Sequence, residues 1–136
     1  MMRTRYEIGM ETVTRLAGKE EVASTLEAIR QFSPDFYKAI VEFGFGEIYA
    51  RPGLDLRQRE LLTLASLIAL GAEGQLPFHL KAALNVGITP EEIIEIVLHC
   101  TPYAGFPRGT GALAVVMQVF KERNIQLKLN ERSTTV

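Results

Sequence analysis

Residues 51–107 read RPGLDLRQRELLTLASLIALGAEGQLPFHLKAALNVGITPEEIIEIVLHCTPYAGFP, and their punctuation decides the fold. Thr89-Pro90-Glu91-Glu92 combines a capping threonine, a proline at the first helical position, where a missing N–H costs nothing, and a glutamate three residues after the cap. That box opens a helix whose Ile93, Ile96, Val97 and Cys100 share one side and which stops near Thr101-Pro102 or Tyr103-Ala104-Gly105. Upstream, Arg51-Pro52-Gly53-Leu54 is a breaker loop, after which Asp55 caps a helix from Leu56 to about Leu70 that ends at Gly71. Between them, Gln75 to Val86 reads as a helix with Gly87 at the position past its end, where a positive φ is needed.

Outward from this centre the same grammar continues. Ser33-Pro34-Asp35 opens a segment running to about Ala50, with Tyr37, Ile40, Val41, Gly44, Phe45 and Ile48 on its apolar face. Tyr6 to Leu16 and Glu20 to Phe32 are expected to be helical, a last helix covers about Arg108 to Arg123, and the Ser133-Thr134-Thr135 end is expected to fray. No stretch alternates with the period of two that a half-buried strand requires. The expectation is an all-α bundle of six to seven helices in a single domain covering residues 1–136, since no repeat, linker or low-complexity tract divides the chain. In the last helix, residues 112–117, 119 and 120 leave little polar face. A helix apolar all round is buried on all sides, which in so short a chain predicts burial by another subunit.

Composition narrows the function classes. The 136 residues are 47% apolar with 11 glycines and 6 prolines, which describes a globular chain. A net charge of −1 and a pI near 6.1 predict no nucleic-acid partner and no anionic membrane surface. The longest nearly apolar run, Leu61 to Ala72, is shorter than the roughly 20 residues that span a bilayer. Arg3 and Arg5 give a basic start, but Glu7 and Glu11 interrupt what a signal peptide needs as its apolar core, so the chain is expected in the cytoplasm. Cys100 has no internal disulfide partner, and two histidines with one cysteine predict no zinc cluster. Gly44-Phe45-Gly46 resembles half of a dinucleotide fingerprint but follows no strand, and carries nothing.

Polar residues on apolar faces point to the chemistry. Projected at about 100° per residue, His79 aligns with Leu76, Ala83 and Val86 and points inward, whereas His99 follows Glu92 and Glu95 on a polar face, where an ion pair is the plain reading. Glu60 shares a face with Leu56, Leu64 and Leu67, where a carboxylate is costly unless it is paired or opened to a cavity. A buried glutamate and a buried histidine on consecutive helices satisfy each other and also form an acid–base site, because the carboxylate fixes the imidazole tautomer. The plain alternatives are a satisfied core histidine, and a Glu60 that reaches solvent or pairs with Arg57 or Arg59. Arg51, Arg57, Arg59 and Arg108 gather around the same punctuation, and guanidinium forks match carboxylates, so a small organic acid is the expected ligand class. Cys100 lies on an apolar stripe and reads as inert core.

Residues 51–71 and the stretch LPFHLKAALNVGITPEEIIEIVLHCTPYAGFP (76–107) resemble the carboxymuconolactone decarboxylase family, and the pieces RYEIGMETVTRLAG and FSPDFYKAIVEFGFGEIYARPG extend the likeness over about residues 5–123. The resemblance implies an all-α subunit of a ring-like homohexamer that works without metal or organic cofactor. It also implies conversion of a carboxylated lactone, 4-carboxymuconolactone, to an enol-lactone and CO2 in the breakdown of aromatic acids. A related hydroperoxide-reductase branch carries Cys-x-x-Cys-x-x-x-His; the cysteine places fall here on Ala72 and Gln75, which excludes that disulfide chemistry. Losing CO2 from carbon conjugated to a carbonyl leaves an enolate-like anion that must be stabilised and then protonated. His79 is expected to be the general acid and Glu60 its orienting partner or a proton relay. Arg51, with Arg57 or Arg108, is expected to clamp the carboxylate or oxyanion, and Tyr103 to line the pocket. Other readings stay open: the same fold acting on another small acid or lactone, or a silent oligomeric partner protein.

Overall fold

Thr4, Asp55 and Thr89 each accept a hydrogen bond from the backbone N–H three residues on, and the side chain at that position returns a bond to the cap, so three helices start with reciprocal capping boxes. In the computed structural model, which describes residues 1–128, the order is α1 (Arg5–Ala17), α2 (Lys19–Phe32), α3 (Pro34–Ala39), a π-helical segment (Ile40–Tyr49), α4 (Leu56–Leu70), a 3-10 turn (Glu73–Gln75), α5 (Leu76–Asn85), α6 (Pro90–Ala104) and α7 (Phe106–Glu122). The described residues contain no strand, so the all-α expectation holds. None of the described helices is long and apolar enough to cross a membrane. The frayed end expected at residues 133–135 lies outside the described residues.

Boundaries differ from expectation in two places. The segment expected as one helix over residues 33–50 is a six-residue α3 that passes into the π segment. Tyr37 of α3 and Val41 and Phe45 of the π segment are buried, while Ile48, expected among them, is exposed. The last helix begins at Phe106 rather than Arg108, because Gly105, at a φ of 95°, ends α6 and Pro107 can occupy the first turn of the next helix.

α1 lies along the π segment. A Cβ on Gly9 would collide with the Val41 carbonyl oxygen, and one on Gly46 with the Arg5 carbonyl oxygen, so each helix offers a glycine where the other's backbone passes. Gly46, dismissed as part of a nucleotide fingerprint, serves this crossing.

Two hydrophobic clusters meet at α5. Leu76, Leu80 and Ala83 join Leu64, Ile68, Ile93, Val97, Ala112, Val116 and Val119 from α4, α6 and α7. Phe78 and Ala82 join Val13, Leu16, Val22, Leu26, Val41 and Phe45 from α1, α2 and the π segment. The two sets occupy different sides of α5, and His79 falls between them at helical spacing, on the seam. α7 buries Ala112, Val116 and Val119, yet leaves Met117 at 65% exposure, so within one chain its apolar surface is covered on one face only.

Candidate active site

Glu60, in the second turn of α4, is the one fully buried charged residue among those described, with 0% exposure. It neither reaches solvent nor pairs with Arg57 or Arg59. His79 Nδ1 lies 3.1 Å from both carboxylate oxygens, and the Tyr49 hydroxyl donates to Oε1 at 3.1 Å. The same hydroxyl contacts Thr63 Oγ1. Burial first, and the Glu60 charge second, push the Tyr49 phenol well above its usual range, so it stays a donor.

The His79 side chain keeps 14% of its surface exposed and lines a cavity of about 350 Å³. Leu26, Ile29, Ile40, Phe45 and Phe78 make that cavity mainly apolar, with Thr25 and Gln75 as its neutral hydrogen-bonding side chains. With Nδ1 taken by Glu60, Nε2 is the ring nitrogen without a protein partner among the described residues.

The structure thus brings Glu60 and His79 together and distributes the other expected residues elsewhere within the chain. Arg57 pairs with Glu92 across α4 and α6, and that guanidinium holds the Glu92 carboxyl below its ordinary range. Arg108 donates to the Ala69 carbonyl at the end of α4. Arg51 lines a second cavity of about 370 Å³, with Arg3, Arg15, Glu11 and Tyr49, on which Arg3 is paired to Glu11. Arg59 holds the breaker loop to α4 by donating to the Arg51 carbonyl at 3.1 Å. Tyr103 is 84% exposed. His99 is exposed, in keeping with a polar face, and stands 5.6 Å, ring to ring, from Tyr103; the expected ion pair with a glutamate is not formed among the described residues.

Tyr49 and Thr63 escaped the sequence reading. Thr63, three residues after Glu60 on the same helix, was the available signal; no periodicity connects Tyr49 to Glu60 across the breaker loop. Among the described residues no three His, Cys, Asp or Glu side chains gather as a metal site would require.

A buried carboxylate–imidazole pair on consecutive helices, opening on a mainly apolar cavity, is an arrangement able to hold and pass a proton. The model of the carboxymuconolactone decarboxylase family matches residues 34–118, and the chain belongs to that family. It is 41% identical over 121 residues to the 4-carboxymuconolactone decarboxylase of Acinetobacter baylyi, covering 89% of this chain and 90% of that protein. It is 33% identical over 120 residues to nitrosuccinic acid decarboxylase npaB of Metarhizium robertsii, covering 88% and 84% respectively. Both of these relatives carry names of carboxy-lyases, and that is the enzyme class of this chain.

Proposed function

We propose that this protein decarboxylates a small carboxylated lactone of the 4-carboxymuconolactone type, in the breakdown of aromatic acids, without a cofactor. The observation that carries the reading is the buried Glu60 on His79 Nδ1 at 3.1 Å, at the wall of the apolar cavity. The lactone enters with its departing carboxylate in the apolar space, where the loss of hydration favours neutral CO2 over the anion. The C–CO2 bond breaks, its electron pair passes into the conjugated carbonyl, and Nε2–H of the imidazolium protonates the resulting enolate. The imidazole left behind carries its proton on Nδ1 and regains one at Nε2 from solvent after product leaves, so each turnover consumes one proton. Thr25 and Gln75 are the lining side chains suited to the developing oxyanion.

Of the arginines expected as clamps, Arg51 has no ion-pair partner among the described residues, but it lines the second cavity and not that of His79. Arg57, Arg108 and Tyr103 are not among the residues lining the His79 cavity of the single chain, so as substrate contacts they would have to act across a subunit boundary. That assignment goes with a homo-oligomer, which the resemblance describes as a hexamer. The exposed Leu62, Leu98, Tyr103, Phe106 and Met117 support it, because a monomer gains nothing from so much open apolar surface. A single buried cysteine fits a reducing cytoplasm.

Purified protein mixed with 4-carboxymuconolactone should release CO2 and form the enol-lactone, with no metal required. Light scattering should give a particle several times 15.2 kDa. No turnover of the lactone, with ready turnover of another small acid, would move the reading to that substrate; a stable monomer would remove the assembly.

A further inference from the structure

Tyr49 closes the π segment, and its hydroxyl meets Glu60 Oε1 at 3.1 Å and Thr63 Oγ1. Its ring rests against Phe45 with centroids 5.2 Å apart. An ionised carboxylate only accepts, and a phenol has one hydrogen to give. If that hydrogen pointed to Thr63, a phenol lone pair would face a carboxylate lone pair. The arrangement without such a clash runs one way: Thr63 O–H donates to Tyr49, Tyr49 O–H donates to Glu60, and His79 Nδ1–H donates to Glu60 as well.

We propose that Tyr49 is a positioning residue which, by anchoring the Glu60 carboxylate, holds His79 as the Nδ1–H form with Nε2 turned to the cavity. The inference rests on the reading of His79 as the proton donor, and it makes that reading sharper. Because Nδ1 keeps its proton throughout, a proton lost from Nε2 must return at Nε2. Glu60 and Tyr49 therefore orient the imidazole and do not relay protons to it. The raised phenol supports this, since a group that holds its hydrogen firmly serves as a fixed donor. Placement of the phenol depends on the π segment, whose wide register brings the side chain at its last residue under α4. π-helical turns recur at functional sites for such reasons of aim.

The test reads the imidazole directly. Protein labelled with 15N-histidine, in a His99→Gln background so that one ring remains, should show the proton of neutral His79 on Nδ1 and a pyridine-type Nε2. Free imidazole side chains favour the opposite form, so this is a distinctive signature. Tyr49→Phe keeps the packing on Phe45 and removes the donor. It should shift the tautomer balance toward Nε2–H and lower kcat on the lactone by about tenfold, less than the roughly hundredfold to ten-thousandfold that the positioned acid itself contributes, with little change in KM. Thr63→Val removes a partner of Tyr49 but not of Glu60, and should leave the tautomer as in the unaltered protein. The proposal fails if the unaltered protein carries its proton on Nε2, or if Tyr49→Phe retains both the Nδ1–H form and full kcat. Should the protein turn over no lactone, the tautomer of the two variants still decides the role of Tyr49. A failed activity reading and a failed positioning role are thereby distinguished.

Discussion

His79 Nδ1 stands 3.1 Å from each oxygen of the Glu60 carboxylate, on the bisector of a group that has no exposed surface. A ring held symmetrically in this way has one free nitrogen and a fixed plane, which is what a proton donor requires. His79→Ala should lower kcat on a verified substrate by roughly a hundredfold to ten-thousandfold. Glu60→Gln keeps an acceptor in place and should cost less. The double variant should fall short of the product of the two effects, as expected for groups that work as a unit. Steady-state kinetics and melting temperatures on all three variants check this. Normal turnover in both single variants, with only a stability defect, would make the pair a core contact.

The crossing of α1 over the π segment offers a mutation remote from the chemistry. Gly9→Ala places a methyl group against the Val41 carbonyl and must separate the two helices. Overpacking of this kind destabilises by about 1–3 kcal/mol, readable in urea denaturation. Since the π segment carries Tyr49, activity should fall as well. Gly44→Ala, on the same segment with open space around its Cβ, should do neither.

Cys100 is buried in the cluster between α4 and α7, and burial pushes its thiol above the usual range. Cys100→Ser should leave decarboxylation largely intact and lower the melting temperature, because a hydroxyl costs more than a thiol to bury among apolar side chains. In the native protein the thiol should react slowly with a disulfide reagent. Loss of turnover at an unchanged melting temperature would instead revive a thiol mechanism.

Tyrosine ionisation sets the alkaline limit. Tyr37 is pushed up to about 12, first by burial and then by its hydrogen bond to Tyr6, and Tyr49 is pushed higher still. Unfolded tyrosines release their protons near the ordinary value of 10.0, so above it the unfolded chain binds fewer protons than the folded one. Stability is fully present below that pH and falls as pH rises toward the folded values. Denaturation midpoints at pH 8 and 11 should show the fall, and Tyr49→Phe should reduce it. An equal fall in that variant would assign the alkaline loss to other groups.

Much of this fold is written in short-range sequence. Caps and breakers act over three or four residues, so Thr89 with Glu92, Asp55 with its helix, and Gly71 at the end of α4 were all legible. The inward faces of Glu60 and His79 were legible too, because a helix repeats at a spacing that linear sequence displays. What the tertiary structure alone decided lies across chain separations that no period bridges. It sent Arg57 to Glu92 and Arg108 to the Ala69 carbonyl, contacts set by where whole helices pack. It widened residues 40–49 into a π segment and set Gly9 and Gly46 where two backbones pass closely, neither of which a local period displays. And it carried Tyr49 over the breaker loop to Glu60, turning a two-residue pair into a network. Local hydrogen-bonding geometry is written in neighbouring residues; the meeting of distant side chains depends on the packing of the entire core.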